Sequence, residues 1–179
     1  TNPDLLCIQV ADATAANAGV GIYATWSKDA TALYSENCEA VFPTPAIPDD
    51  RFEAALIALG HDSARDHRVL TANISGLLSL DVSGEAISDL TGIQDFAALQ
   101  SLVASSNDLT GANLSQNLNL SSLDLSSNNL VAVNVSGLNG LASLDLSSNS
   151  LASIDVTQNP GLTSLDLASN SLTTINLSS

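Results

Sequence analysis

The chain has 179 residues, of which 45% are hydrophobic and 13% are charged, and its formal net charge at pH 7 is -15. All four basic residues lie before residue 69, so the longer part of the chain offers no cationic face to nucleic acid or to an anionic membrane surface. No apolar run reaches the length of about eighteen residues that a membrane-spanning helix needs. The sequence therefore predicts neither nucleic-acid binding nor membrane insertion.

Residues 1–48 are predicted to be the tail of an upstream block of repeats followed by a connector. The stretch NPDLLCIQV at residues 2–10 matches NPGLTSLDL at residues 159–167, so we expect it to be the strand half of a repeat. Residues 11–48 then break the pattern and contain four of the six aromatic residues. We interpret this segment as a cap or connector that packs on the first turn.

Residues 49–76 are predicted to form a capping helix and a lead-in to the repeats. Asp50 suits the N-cap position, and Glu53 three residues later would complete a capping box. Gly60 can end the helix, because glycine readily adopts the left-handed conformation of a helix C-terminus. Three apolar residues fall on one face of this helix and are expected to cover the open end of the coil: Phe52, Leu56 and Leu59.

Residues 77–179 contain an internal repeat. Four copies of the pattern L-x-x-L-x-L-x-x-N-x-L begin 21 residues apart, and a weaker copy, LLSLDVSGEAI, begins at Leu77. The L-x-L core alternates with period two, as a strand with one buried face must, and each turn is too short for a helix and two loops. One turn cannot bury its apolar side alone, so we expect neighbouring turns to stack as a solenoid with a parallel sheet.

Within each turn, the pattern assigns residues to the inside, to the bend and to the back of the coil. The leucines of the pattern point inward, as Leu120, Leu123 and Leu125 do in one repeat. The asparagines lie where the strand bends away and are expected to satisfy backbone groups that water cannot reach: Asn107, Asn128, Asn149 and Asn170. Short extended segments are predicted on the back: Val133 with Val135, Ile154 with Val156, and Ile175 with Leu177.

These motifs resemble the leucine-rich-repeat proteins of marine Bacteroidetes, which have short repeats. IPDDRFEAALIALG is similar to their opening helix, and VLTANISGLLSLDVSGEAISDLTGIQDF is similar to their first repeat. NPDLLCIQV with YSENC is similar to the tail of a preceding block, in which Cys7 and Cys38 would form a disulfide. The resemblance implies a right-handed β/α superhelix with its sheet on the concave face. It also implies a protein that is secreted or held at the cell surface, anchored to the outer membrane through regions outside this chain, and that acts in adhesion or recognition.

Some relatives carry a calcium-type loop after the opening helix, and the corresponding stretch here is HDSARDHRVLTAN. Asp62 and Asp66 suit positions one and five of such a loop. However, Ala64 occupies position three, His67 stands where glycine makes the turn, and Asn73 replaces the bidentate glutamate. We therefore predict no metal ligands and no cofactor, with Ca²⁺ kept as an alternative.

The exposed side of the predicted sheet carries serine and aspartate. Seven of these residues, the concave strip, form the predicted binding surface: Asp81, Ser122, Asp124, Ser143, Asp145, Ser164 and Asp166. Strands lie about 4.8 Å apart, so three of the aspartates should stack as like charges, which destabilises a sheet. Three interpretations remain open: a solvated surface, a ladder for hard cations such as Ca²⁺, and a docking face for a basic partner.

The sequence predicts no catalytic residues. It contains no G-x-S-x-G elbow, no glycine-rich phosphate loop, and neither an HExxH nor a paired Cys-x-x-Cys zinc motif. We expect a non-catalytic recognition or adhesion module that binds a protein, which could be a second copy of itself in a homodimer. Cation-dependent adhesion to an algal polysaccharide and a structural spacer in a larger surface protein are the alternatives. Glycan binding by ring stacking is disfavoured, because the repeats from Leu99 onward contain no aromatic residue.

Overall fold

The computed structural model describes residues 45–177 and the strand backbones of residues 7–9 and 33–35, and the chain forms two compact units, residues 1–44 and 45–179. In the first unit, β1 (Cys7–Gln9) and β2 (Leu33–Ser35) pair in parallel. Strand β2 falls within the segment that was expected to break the repeat, so part of that segment has the parallel pairing of a repeat. The predicted disulfide and the cap lie outside the described residues, and both remain predictions.

The second unit begins with two helices, α1 (Asp50–Ala58) and α2 (Thr71–Ile74), and continues as a coil of three-residue strands. Five strands form one parallel sheet in this order: β3 (Ser79–Asp81), β4 (Ser101–Val103), β5 (Ser122–Asp124), β6 (Ser143–Asp145) and β8 (Ser164–Asp166). Two further strands, β7 (Ser153–Asp155) and β9 (Thr174–Asn176), form a separate parallel pair. A short 3-10 helix spans Ile93–Asp95.

The leucines of the repeat stack in register inside the coil. Leu102 lies opposite Leu80 on one side and opposite Leu123 on the other, and the same pairing continues along the sheet. The inward leucines of one turn, Leu120, Leu123, Leu125 and Leu130, are all at most 1% exposed. Since each fully buried leucine contributes about 1.5–3 kcal/mol, the leucine column is the main source of stability in this unit. The predicted solenoid with inward leucines is confirmed.

The back of the coil is only partly strand. Ile154 lies in β7 and Ile175 lies in β9, as predicted, but the segment containing Val133 and Val135 forms no strand. Val135 and Ile154 are buried, whereas Ile175 is 46% exposed because no further described turn packs on it. No helix among the described residues is long and apolar enough to cross a membrane.

Helix α1 begins differently from the prediction. The N-cap is Asp49, whose Oδ1 accepts hydrogen bonds from the amides of Arg51 and Phe52, both at 2.9 Å. Asp50 is the first helical residue. Glu53 does not complete a capping box, because its Oε1 accepts from the amides of Asp66 and His67. The predicted N-cap was therefore wrong by one residue, and the predicted role of Glu53 was also wrong.

Helix α1 covers the first turn of the coil through both apolar and polar contacts. The rings of Phe52 and Phe96 stack with centroids 6.2 Å apart. Oδ2 of Asp49 accepts from the amide and hydroxyl of Ser88, at 2.9 and 2.8 Å. Leu59 was expected on the covered face but is 47% exposed, because the helix ends at Ala58 and Leu59 is its C-cap.

Candidate functional site

The concave strip is brought together on one face of the five-stranded sheet. Strand pairing places Asp124 opposite Asp145, and Asp145 opposite Asp166. Val103 stands between Asp81 and Asp124, so Asp81 is separated from the column of three. Ser122, Ser143 and Ser164 pair in the same way at the start of their strands. Thus six of the seven predicted residues lie on three adjacent strands, three of them form an uninterrupted acidic column, and Asp81 lies apart from them.

Each aspartate of the concave strip also has a local role at the end of its strand. Oδ1 of Asp124 accepts from the amide of Ser126 at 2.9 Å and from its hydroxyl at 2.7 Å. Asp145 has the same two bonds with Ser147, and Oδ1 of Asp166 accepts only from the amide of Ala168. These Asx turns close the strand exits. Sequence analysis did not identify this role, although the recurring D-L-S-S stretch is a signal for it.

One oxygen of each column aspartate remains available for a ligand. Among the described residues, Oδ2 of Asp124, of Asp145 and of Asp166 accepts no hydrogen bond. At the first strand, hydrogen bonds from the hydroxyl and the amide of Ser83 hold the pKa of Asp81 below its usual value, so this carboxylate stays ionised. The strip can therefore present negative charge to a partner without giving up the turns beneath it.

The four asparagines of the repeat hydrogen-bond to backbone groups of their own turn and the preceding turn. Nδ2 of Asn128 donates to the carbonyls of Ala104 at 2.9 Å and Leu125 at 3.0 Å. Its Oδ1 accepts from the amide of Leu109 at 3.0 Å. The same pattern recurs at the equivalent positions: Asn107, Asn149 and Asn170. Because these amides are used within the fold, the asparagines are poorly placed to contact a ligand.

The residue before each of these asparagines has a left-handed backbone. The φ angles are positive, between 54° and 56°, at four serines: Ser106, Ser127, Ser148 and Ser169. A left-handed backbone is energetically unfavourable for an L-residue other than glycine. It persists where contacts with the surrounding structure hold the residue in that conformation. In the first turn, Gly84 adopts the corresponding conformation at φ 74°, and it can do so without strain.

A second set of buried asparagines was missed by sequence analysis. Nδ2 of Asn117 donates to the carbonyl of Ile93 at 2.8 Å, and Nδ2 of Asn159 donates to the carbonyl of Leu138 at 2.9 Å. Both residues are at most 1% exposed. The equivalent position in the intervening turn is Leu138 itself, so no constant residue marked this column in the sequence.

The loop after α1 brings acidic residues together. Asp62 and Asp66 lie close to Glu53 of α1, and Asn73 donates from Nδ2 to the carbonyl of His61 at 3.1 Å. His67 has a φ of 60°, which is the conformation that a glycine would adopt at this turn. Burial raises the pKa of Asp62, hydrogen bonds from the Ser63 and Ala64 amides oppose that rise, and the charges of Asp66 and Glu53 add to it.

Two hollows in the surface lie away from the concave strip, and a third includes Ser164 at the last described turn. One is lined by Asp49, Arg51, Ser88 and Asp89, where α1 meets the first turn. Another lies on the back of the coil and includes Val133 and Ile154. The concave strip is a surface of aligned side chains, which suits contact with another macromolecule better than enclosure of a small molecule.

Comparison with known proteins yields structural similarity but no family assignment from sequence. No protein-family profile matches the chain, and no curated protein matches it. A similar solved structure is the functional domain of InlJ from Listeria monocytogenes, described as including a cysteine ladder, at 36% identity and a TM-score of 0.66. The match covers 73% of this chain but only 30% of that one. The cysteine ladder has no counterpart in the repeats here, because both cysteines precede residue 39.

Two further internalins from the same species share the fold. Internalin InlC2 is 23% identical with a TM-score of 0.57, and the match covers 74% of this chain and 68% of that one. Internalin InlF is 20% identical with a TM-score of 0.54, and the match covers 72% of this chain and 47% of that one. At these identities the similarity shows the architecture alone.

Proposed function

Because the chain is a leucine-rich-repeat solenoid, we propose that it is a non-catalytic recognition module that binds a basic surface of a protein partner through its concave strip. The observation that carries this proposal is the register of Asp124, Asp145 and Asp166. Strands about 4.8 Å apart hold these like charges close together at a cost to the sheet. Lysine or arginine side chains of a partner would relieve that repulsion on binding.

The strength expected of such contacts defines how binding should behave. An exposed ion pair contributes about 0.2–1 kcal/mol, so the acidic column would mainly raise the association rate and select against acidic partners. Added salt would weaken the attraction, because screening at physiological ionic strength acts over about 8 Å. The expected signature is therefore a saturable interaction whose affinity falls as salt is added.

A charge-matched comparison tests the proposal. The test variant carries Asp124→Asn, Asp145→Asn and Asp166→Asn, which keep an oxygen for the strand-exit turns but remove the charge. The control variant carries Asp89→Asn, Asp95→Asn and Asp108→Asn, which remove the same charge elsewhere. Binding to a panel of surface proteins with basic patches would be measured by interferometry. We expect the test variant to lose about tenfold or more in affinity, which corresponds to about 1.4 kcal/mol, and the control to bind as the unaltered protein does.

Other outcomes would support other functions. Equal binding by the test variant would contradict the role of the concave strip, and no saturable binding to any protein would favour a spacer. Binding on a glycan array that a chelator abolishes would favour cation-dependent glycan adhesion. Self-association would be revealed by sedimentation at increasing protein concentration.

We further propose that the module acts outside the cell, either secreted or held at the outer membrane through regions beyond this chain. The support is the resemblance of its repeats to those of marine Bacteroidetes surface proteins. Protease accessibility on intact cells of the source organism tests this location. Protection of the protein until the cells are lysed would contradict it.

A further inference from the structure

Glu53 is a buried carboxylate with one oxygen unpaired. It lies on α1, and the residue is 0% exposed. Its Oε1 accepts from the amides of Asp66, at 2.7 Å, and His67. Its Oε2 is buried and has no hydrogen-bond partner, and Nδ1 of His67 lies 3.9 Å from it. That separation exceeds a hydrogen bond, so His67 does not hydrogen-bond to Oε2.

Two aspartates of the following loop lie beside Glu53. Oδ1 of Asp62 accepts from the amide of Ser63 at 2.8 Å, whereas its Oδ2 is buried and unpartnered. Oδ1 of Asp66 accepts from the amide of Arg68 at 3.1 Å. One carboxylate oxygen from each of Glu53, Asp62 and Asp66 lies within 4.8 Å of the other two. The fold therefore gathers three carboxylates at a place where two of their oxygens are shielded from water.

Such an arrangement is costly unless something positive lies between the carboxylates. An unpaired buried polar group costs about 1–3 kcal/mol, and a charged group costs more. Like charges at short range add to that cost. Burial of a carboxylate is otherwise compensated by a paired base, by hydrogen bonds or by a metal ion. Oε2 of Glu53 and Oδ2 of Asp62 have no hydrogen-bond partner among the described residues, and a metal ion between the carboxylates would supply the missing compensation.

We infer that Glu53, Asp62 and Asp66 form a Ca²⁺ site that joins α1 to the loop of residues 61–68. Ca²⁺ binds oxygen ligands at about 2.3–2.6 Å, so oxygens on opposite sides of the ion lie up to about 5 Å apart. Mg²⁺ demands near-ideal octahedral geometry and usually keeps several of its waters, so a cluster of three carboxylates suits Ca²⁺ better. Backbone carbonyls and water would complete the six to eight ligands typical of Ca²⁺.

The site differs from a calcium-type loop, in which one continuous stretch of the chain supplies all the ligands. Its buried ligand, Glu53, comes from the preceding helix, so Ala64 and Asn73 do not need to contribute. Asn73 instead holds the start of the loop through its bond to the carbonyl of His61. The inference is independent of the proposed function, because the concave strip contributes no ligand to this site. Bound Ca²⁺ would tie the capping helix to its loop and raise the thermal stability of the cap.

The experiment uses the whole 179-residue chain after removal of divalent ions with a chelator. Isothermal titration with Ca²⁺ should show one saturable site, and the melting temperature should rise as Ca²⁺ is added. Glu53→Gln should abolish both effects. This variant keeps Oε1 as the acceptor for the two loop amides, so we expect it to fold. Circular dichroism checks its folding, and if it fails to fold, Asp62→Asn provides the same test.

Two controls distinguish Ca²⁺ binding at this site from attraction of Ca²⁺ to the negative charge of the chain as a whole. Asp108→Asn removes one negative charge from an exposed position and should leave Ca²⁺ binding unchanged. The variant with three substitutions in the concave strip should also bind Ca²⁺ as before. The inference is overturned if the unaltered chain shows neither Ca²⁺-dependent heat nor a rise in melting temperature. It is equally overturned if Glu53→Gln binds Ca²⁺ as tightly, or if Mg²⁺ binds more tightly than Ca²⁺.

Discussion

Asn128 illustrates how one side chain connects consecutive turns of the coil. Its amide group donates to the carbonyl of Ala104 in the preceding turn and accepts from the amide of Leu109. The residue is 8% exposed, so water cannot easily replace these bonds. The neighbouring Ser127 has a φ of 54°, which directs the chain into this bend. The side chain thus satisfies backbone groups that the sharp bend would otherwise leave unpaired.

Replacing this asparagine should therefore be costly. We expect Asn128→Ala to lower the free energy of unfolding by about 2–4 kcal/mol, because more than one buried backbone group loses its partner. The measurement is urea denaturation followed by circular dichroism. Asn117→Leu is the contrasting variant, and we expect it to cost less than about 1 kcal/mol, since leucine already occupies the equivalent position 138. A larger loss for Asn117→Leu than for Asn128→Ala would contradict this account.

The two sets of asparagines differ in how readily the sequence reveals them. Asn107 and its equivalents recur in the four copies that begin 21 residues apart, so the period alone placed them at the bend. Asn117 and Asn159 share their column with Phe96 and Leu138, and such a mixed column carries no compositional signal. Only the packing shows that these positions are buried and that an amide there reaches a carbonyl of an earlier turn.

At the scale of secondary-structure elements, Asp49 links α1 to the coil. Its Oδ1 caps the helix, and its Oδ2 accepts from the amides of Ser88 and Asp89 in the first turn. Burial would raise the pKa of Asp49, but hydrogen bonds from Phe52, Ser88 and Arg51 outweigh it and lower the pKa below 3.8. The folded state therefore favours the ionised carboxylate.

This shift gives the helix cap a defined pH dependence. Because the pKa is lowered on folding, the stabilisation by Asp49 is fully present above pH 3.8 and is lost as the pH falls through the folded-state pKa. At neutral pH we expect Asp49→Ala to reduce the free energy of unfolding by about 1–2 kcal/mol. The difference from the unaltered chain should shrink in acid. Urea denaturation at neutral pH and at a pH below 3.8 measures this difference in the free energy of unfolding. Asp108→Ala is the control, and a difference that grew in acid would contradict the assignment.

The predicted N-cap of α1 was wrong by one residue. Asp49 and Asp50 have the same chemistry and are adjacent at the start of the helix, so local preference does not distinguish them. Their environments do, because Ser88 and Asp89 bind Asp49 from far along the chain. Glu53 fitted a local capping box, but its partners are the amides of Asp66 and His67. Contacts that close over long sequence separations override local rules at this element.

At the scale of the whole second unit, stability should depend on how many neighbours each turn has. Leu123 lies between Leu102 and Leu144 in the sheet and is 1% exposed. Leu165 has Leu144 on one side and is only partly buried. Because each turn of a solenoid contacts only the adjacent turns, the same substitution should cost more in the middle than at the last described turn.

Two alanine substitutions test this dependence. We expect Leu123→Ala to lower the free energy of unfolding by about 3–4 kcal/mol, since it opens a cavity with neighbours on both sides. Leu165→Ala should cost about 1–2 kcal/mol, because the partly exposed side chain loses fewer contacts. Thermal and urea unfolding provide the comparison. Equal losses at the two positions would mean that the coil does not behave as a sum over adjacent turns.

The sequence by itself determined the architecture of the repeats. Equal spacing and period-two alternation leave one register in which the leucines of the pattern face inward, and that register also aligns Asp124, Asp145 and Asp166. Tertiary structure alone decided which aspartate caps α1, where Asn117 donates, and that Glu53 lies beside Asp62 and Asp66. The physical reason is that a repeat encodes its neighbours at a constant distance along the chain. The cap is made of single contacts whose partners have no period and are known only once the chain has packed.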